Sequence, residues 1–284
     1  MLNTVKIKCP AKINLTLEVA NRREDGFHNI KSIMQMISLY DYLTITVTKS
    51  EKNEINLSGT NEEIPYDDKN LVYKAAKLFL QKAGLKNIKI DIFIEKNIPI
   101  SAGLAGGSTD AAGTIFGLNK LFSNMFTEKT LHEMCSTLGS DLNVCLSGGC
   151  NLATSRGEVI KPLPTLDYNL TLIKPKNLGI SAKEAYTKYA AKKNKPKYNR
   201  TENMMMAILS GSSVVPYLYN DLEYAVFDDY IELQKIKKSY PDSIMSGSGS
   251  TYFVLNDINK SLLDESYEVY ENLKFISSGV EVFV

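Results

Sequence analysis

The arrangement that most restricts the fold is a strand pattern ending at Ile94, then the segment PISAGLAGGSTDAAG (99–113), then an apolar helical stretch carrying Ala111, Ala112, Ile115, Phe116 and Leu118. Gly103, Gly106 and Gly107 put no Cβ atoms in the way, so backbone N–H groups can close on an anion. Ser108 and Thr109 stand where the helix is expected to begin, beside its free N–H groups and the positive end of its dipole. Strand, glycine loop and helix N-terminus in succession make a phosphate cradle. The plainer alternative is a turn leading into a capped helix. Two familiar nucleotide loops are excluded, because the chain has no Gly-Lys dipeptide and no G-x-G-x-x-G. A cation for the phosphates must therefore come from elsewhere.

Around this segment the first half reads as strands. Val5, Ile7 and Cys9, then Ile13, Leu15, Leu17 and Val19, place apolar side chains on every second residue, and Leu43–Val47 and Ile88–Ile94 repeat the pattern. Leu71, Ala75, Leu78 and Phe79 fall at helical spacing after Asp67 and Asp68, which are expected to cap that helix. Residues 108–121 and 128–138 read as further helices. RGEVIKPLPT (156–165) reads as a break, followed by a strand at 170–172, several helices, a strand–loop–strand at SIMSGSGSTYFVL (243–255), a last helix over 258–272 and a short terminal strand. Strands mixed with helices without regular βαβ alternation predict an α+β fold. Length agrees: 284 residues suggest about two domains, which the break sets at 1–160 and 161–284.

Composition removes several classes. Lys and Arg total 33 against 32 Asp and Glu, so nothing in the bulk charge favours a nucleic-acid partner. Cys9, Cys135, Cys145 and Cys150 form no C-x-x-C pair, and His28 and His132 are the only histidines, so buried reduced thiols are expected rather than a metal site. The N-terminal stretch lacks a signal peptide's apolar core, and no run of about 18 apolar residues occurs, so no membrane span and a cytosolic protein are expected. The basic segment KYAAKKNKPKYNR (188–200) reads as a solvated helix end and loop. Met204, Met205 and Met206 are expected to give one or two core contacts.

Lys12 is the candidate for the missing cation. If Ile13, Leu15 and Leu17 face one side of their strand, Lys12, Asn14 and Thr16 face the other, and alternate residues lie roughly 6.8 Å apart. Lys12 and Asn14 then address one ligand together. A second polar cluster, LGSDLNVCLSGG (138–149), sets Asp141 between a helix end and an apolar stretch. Such an Asp is either a cap or, with a lysine beside it, a general base. The third glycine-rich segment, Ser246–Thr251, reads alone as a loop and with the others as one more wall of a phosphate-bearing cleft.

These segments, in this order and at these separations, resemble the GHMP kinase superfamily. PAKINLTLEV (10–19), REDGFHNIKS (23–32), PISAGLAGGSTDAAG and LGSDLNVCLSGG resemble more narrowly its branch acting on 4-diphosphocytidyl-2-C-methyl-D-erythritol, and the likeness runs over nearly the whole chain. The resemblance implies an S5-like N-terminal domain and a ferredoxin-like C-terminal domain with the active site in the cleft between them. It implies an enzyme that uses Mg²⁺ as Mg-ATP to phosphorylate the substrate's 2-hydroxyl in the non-mevalonate route to isoprenoid precursors. It assigns Lys12 and Asp141 to catalysis. Pro99, Ile100, Ser101, Ala102, Gly103, Leu104, Ala105, Gly106, Gly107, Ser108 and Thr109 wrap the ATP phosphates, with Asn70 and Lys96 near the adenine. Asn14, Phe27, His28 and Tyr186 bind the substrate, His28 bonding the cytosine edge and Phe27 and Tyr186 offering stacking faces. Ser108 is the candidate protein ligand for Mg²⁺, which otherwise rests on phosphates and water. The implied protein is a bacterial cytoplasmic enzyme, a monomer or weak homodimer. The alternatives are a GHMP kinase for another alcohol, a catalytically silent binding protein on the same fold, or an RNA-binding module built on the S5-like half. Three residues depart from the branch's pattern: Phe27 stands for Tyr, Ala182 for Thr and Asn143 for Pro.

Overall fold

The structure, a computed structural model, describes residues 3–193, 199–256 and 258–284. Part of the basic segment, residues 194–198, lies outside the described residues. The chain opens with two long strands, β1 (Thr4–Arg22) and β2 (His28–Lys49), then β3 (Glu54–Gly59), helix α1 (Leu71–Ala83), β4 (Ile88–Glu95) and helices α2 (Gly106–Leu121), α3 (Glu128–Leu138) and α4 (Leu142–Ser147). β5 (Cys150–Thr154), β6 (Val159–Leu163) and β7 (Asn169–Pro175) precede helices α5 (Ala182–Ala191) and α6 (Arg200–Ser210). Then come β8 (Tyr219–Asn220), α7 (Asp221–Val226), α8 (Ile231–Ser239), β9 (Ile244–Met245), β10 (Tyr252–Val254), β11 (Tyr267–Lys274) and β12 (Glu281–Val282). Among the described residues these strands make an eight-stranded sheet, ordered β12-β1-β2-β4-β3 with β5 and β8 pairing on β2 and β1 and β6 on β5, and a four-stranded sheet, β11-β7-β10-β9. Two strands from the second half, β8 and β12, thus join the first sheet.

β1 shows how local irregularity builds a site. Ile7 and Cys9 pack in the core under α1 and α2; Ala11, Ile13 and Leu15 pack in a second core with Leu170, Leu172 and Phe253; Leu17 and Val19 return to the first. Register shifts between Pro10 and Ala11 and between Asn14 and Thr16 bracket this switch. Each slip moves the alternating side chains to the other face. Leu17 therefore does not share the face of Ile13 and Leu15, as simple alternation predicts. Lys12 and Asn14, which alternate with Ala11, Ile13 and Leu15, point away from the second core and are themselves buried.

α2 lies close on this stretch. A Cβ at Gly113 would stand 2.4 Å from Cys9 Sγ, so only a glycine lets the helix sit this near β1. The helix begins at Gly106, two residues earlier than expected. α1 is capped by Asn70, whose side chain accepts from the Val72 N–H, while Asp67 accepts from Lys69 N in the turn before it. Helix α3 matches its expected span, with Thr127 as cap.

Two further expectations fail. The break at 156–165 contains β6, paired antiparallel with β5. The last helix, 258–272, is instead a short 3₁₀ turn at Lys260–Leu262 followed by β11, whose Tyr267, Val269 and Tyr270 register against Pro175, Ile173 and Leu172 of β7. The helical spacing of Leu262, Leu263 and Tyr267 is real, but β7 needs an edge partner, and aromatic and β-branched residues suit it. All four cysteines are free and buried, as expected. In the methionine run Met204 is fully buried, Met205 packs against the second core, and Met206 is 63% exposed.

Candidate active-site cleft

A cleft of about 1020 Å³ opens where β1, the loop after β4, the start of α4, the β1–β2 loop and α5 meet. Its floor is Lys12. The ammonium donates to Asn14 Oδ1 at 2.7 Å and to Gly103 O at 3.1 Å, and stands 3.5 Å from Asp141 Oδ2. The Lys12 side chain is 4% exposed and that of Asp141 28%, so the lysine is sealed in place while its carboxylate partner still faces the cleft. Asn14 donates in turn to Ser32 Oγ at 2.8 Å, which fixes the amide that orients Lys12. Asp141 occupies the cap position of α4 without making a side-chain cap bond. Its oxygens are left for the cleft.

The glycine-rich loop crosses above. Ser101, Gly103 and Ala105 take left-handed φ of 51, 74 and 60°, every second residue, a pattern that turns successive N–H groups into one concave anion site. For Ser101 and Ala105 this conformation is unfavourable, and such cost gathers where backbone must bind something. Ala105 takes the cap position of α2 and makes no side-chain hydrogen bond to its first N–H groups. Pro99 through Gly107 all line the cleft. Ser108 and Thr109 follow in the first turn of α2, Ser108 half-buried and Thr109 fully buried. The third glycine-rich segment packs onto the first, Ser246 Oγ donating to Gly103 O at 3.0 Å, and contributes Gly247 and Ser248 to the wall. At Gly103 a Cβ would lie 1.9 Å from Ser246 O. Gly103→Ala is therefore expected to cost roughly 1–3 kcal/mol of stability through the forced backbone alone; urea unfolding of the two proteins reads it, and an unchanged midpoint contradicts this packing.

Asn70 and Lys96 line the cleft, yet their polar groups are already engaged. Asn70 caps α1 through Oδ1 and donates to Pro65 O at 2.7 Å. Lys96 lies between two buried carboxylates, bonding Asp41 and, at 2.9 Å, Asp110 Oδ2. Asp41 also accepts from the N–H groups of Asn97 (2.6 Å) and Ile98 (2.8 Å), so this triad anchors the start of the glycine-rich loop. Burial first, and the Asp41 charge second, raise the Asp110 carboxyl to about 7 against the pull of Lys96, whose own ammonium is held above its usual range. Sequence reasoning assigns Asp110 no role, although it lies within PISAGLAGGSTDAAG; its signal there is a lone acid among the alanines of a buried helix. Asp41 carries no such signal.

At the other end the β1–β2 loop carries Phe27, and His28 opens β2. His28 stacks on Tyr186 of α5, centroids 5.5 Å apart and planes 15° apart. Burial lifts the Tyr186 phenol well above its usual range, with the charges of Asp141 and Asp221 adding to it. Phe27 is 51% exposed and has the Arg156 guanidinium 5.3 Å from its centroid. Asn143 is buried beside Asp141. It donates to Ser136 Oγ (2.8 Å) and Glu158 O (2.7 Å), and its Oδ1 meets His132 Nδ1 at 3.1 Å. Among the described residues no helix is long and apolar enough to cross a membrane.

Comparison with known proteins agrees with this geometry. The family profile described as GHMP kinases N terminal domain matches residues 70–155, which hold the glycine-rich loop and Asp141. The homoserine kinase of Cytophaga hutchinsonii superposes with a TM-score of 0.76 at 18% identity, over 100% of this chain and 98% of that one. Fold and site thus define a GHMP kinase. A crystal structure of 4-(cytidine 5'-diphospho)-2C-methyl-D-erythritol kinase superposes with a TM-score of 0.77 at 29% identity, over 95% of this chain and 99% of that one. The 4-diphosphocytidyl-2-C-methyl-D-erythritol kinase of Caldanaerobacter subterraneus subsp. tengcongensis is 39% identical over 98% of this chain and 99% of its own length. That of Bacillus pumilus is 38% identical over 87% and 86%. The chain belongs to the 4-diphosphocytidyl-2-C-methyl-D-erythritol kinase family.

Proposed function

We propose that this protein transfers the γ-phosphoryl group of ATP to the 2-hydroxyl of 4-diphosphocytidyl-2-C-methyl-D-erythritol, a step in the non-mevalonate route to isoprenoid precursors. The observation that carries the reading is Lys12, its ammonium held at once by the glycine-rich loop and beside Asp141. Phosphoryl transfer asks mainly for alignment and charge stabilisation. Asp141 accepts the proton of the attacking hydroxyl. Lys12, fixed from below by Asn14, offsets the charge that develops on the transferred group. The N–H groups of residues 101–107 and the open end of α2 hold the ATP phosphates. Phe27, His28 and Tyr186 hold the cytosine, His28 by its edge and the other two by their faces. Phe27 keeps the stacking face of the tyrosine it replaces. Asn70 and Lys96 shape the adenine end mainly by holding backbone in place. Residues 1–160 make the nucleotide-binding half and 161–284 the second half, with the end of β6, β8 and β12 belonging to the first sheet.

Asp141 and Asp110 each lean on a lysine, the first on Lys12 and the second on Lys96, and among the described residues no three His, Cys, Asp or Glu gather as a metal cage. That donor set suits Mg²⁺ carried in on the nucleotide, bound by phosphate oxygens and water, where it neutralises phosphate charge.

The test is ADP release with Mg-ATP and a panel of alcohols: 4-diphosphocytidyl-2-C-methyl-D-erythritol, homoserine, mevalonate and galactose. Turnover with the first alone is expected. Equal or faster turnover with another alcohol would reassign the substrate, and ATP binding without any transfer would leave a binding protein.

A further inference from the structure

Arg156, in the turn between β5 and β6, has no part in the phosphoryl chemistry, yet its guanidinium lies 5.3 Å from the centroid of Phe27 and both residues line the cleft. The arginine is fixed from behind. Its NH2 group donates to Ser136 O at 2.6 Å, its Nε stands 3.7 Å from Glu158 Oε2, and its own backbone N–H donates to Glu158 Oε2 at 3.0 Å. The same turn holds the β1–β2 loop directly: Arg23 NH1 donates to Ser155 Oγ at 2.8 Å and Ile30 N to Ser155 O at 2.7 Å. Phe27 needs such support, because an aromatic ring half exposed on a loop samples several rotamers and each must be lost when a base stacks on it. Its backbone is already fixed, Phe27 N donating to Asp25 Oδ1 at 3.1 Å and its carbonyl accepting from Arg23 N at 2.7 Å. The ring itself is met by the Arg156 guanidinium.

We infer that Arg156 is a positioning residue for recognition of the nucleobase. Its pinned guanidinium backs one face of Phe27 and leaves the other to the base, so it sets substrate affinity through Phe27 rather than by touching the substrate. The inference rests on the proposed function, since it presumes a base in the slot between Phe27 and Tyr186. A cation over an aromatic face suits such a role, because the attraction is directional and a guanidinium can stack flat while its edge donors remain bonded elsewhere. The ring of Tyr186 is backed differently, by the stacked imidazole of His28.

The experiment is a double-mutant cycle on Arg156→Ala and Phe27→Ala, read as KM for the cytidyl substrate, KM for ATP, kcat and thermal midpoint. Arg156→Ala is expected to raise the KM for the cytidyl substrate about threefold to tenfold, with kcat and the KM for ATP within twofold. Added to Phe27→Ala, it is expected to do nothing further, because the ring it acts through is gone. Arg156→Lys, which keeps the charge but loses the fork to Ser136 and Glu158, should recover only part of the affinity. Equilibrium binding of cytidine diphosphate gives the same comparison without turnover. Additive effects would overturn the inference by making Arg156 a direct contact. A lowered midpoint together with raised KM for both substrates would overturn it by making the arginine a structural pin. If the native protein binds cytidine diphosphate but fails to phosphorylate the cytidyl alcohol, the proposed function falls while the cycle on binding still decides the role of Arg156. If it binds no cytidine nucleotide, both fall.

Discussion

Asp141→Asn is expected to lower kcat by roughly 10²–10⁴-fold while leaving ATP affinity within about threefold. The amide matches the carboxylate in shape, so the cap position of α4 is kept, but it cannot take a proton from the acceptor hydroxyl. The ATP phosphates are assigned to backbone N–H groups of residues 101–107, on a different segment, so nucleotide binding has no reason to follow. The partner variant, Lys12→Ala, should behave differently. It removes the ammonium that bonds Gly103 O at 3.1 Å and stands 3.5 Å from Asp141, so both kcat and ATP affinity are expected to fall. Steady-state kinetics with nucleotide binding on both variants separates the roles. Loss of ATP binding in Asp141→Asn equal to its loss of turnover would contradict this division.

Lys96→Met is expected to be the most destabilising change near the cleft, costing about 3–5 kcal/mol. It leaves the Asp41 and Asp110 carboxylates facing each other in the interior, where Lys96 now bonds both. Against a total stability on the order of 5–15 kcal/mol, that is a large share. The penalty should shrink in acid, when the carboxyls take up protons. Raised to about 7 by burial and by Asp41, the Asp110 carboxyl carries more protons folded than unfolded between the ordinary aspartate range and about 7. Its contribution is therefore fully present below that window and is lost as pH rises through it. Compared with Asp110→Asn, the native protein should lose relative stability between about pH 4 and pH 7. Urea unfolding at both ends of the window reads this, and a difference that does not change with pH would mean that Asp110 titrates elsewhere.

The parts of the site legible in the sequence are those where one short segment carries both the residue and its setting. Lys12 and Asn14 sit on one strand two residues apart, and the structure brings Lys12 to Asp141 and the loop with Asn14 bonded to it, although alternation alone does not predict burial of that lysine. The flip between Leu15 and Leu17 is invisible for the same reason: a register shift depends on the partner strand. From the sequence the helix is expected to start at Ser108 and Thr109. It starts at Gly106, and no sequence rule forces a left-handed Ala105 to begin a helix. Over 258–272 helical spacing misleads, since the free edge of β7 decides the conformation and belongs to residues about a hundred positions earlier. Asp41 is out of reach altogether, its role existing only once β2, the end of β4 and α2 have met.

The most direct test of the central claim is to incubate the native protein with Mg-ATP and 4-diphosphocytidyl-2-C-methyl-D-erythritol and follow the phosphorus NMR spectrum. The account predicts one new phosphomonoester resonance, coupled to no other phosphorus, appearing in step with ADP while the diphosphate signals of the cytidyl substrate persist. ADP formed with inorganic phosphate and no new ester, or no change while another alcohol is phosphorylated, would contradict it.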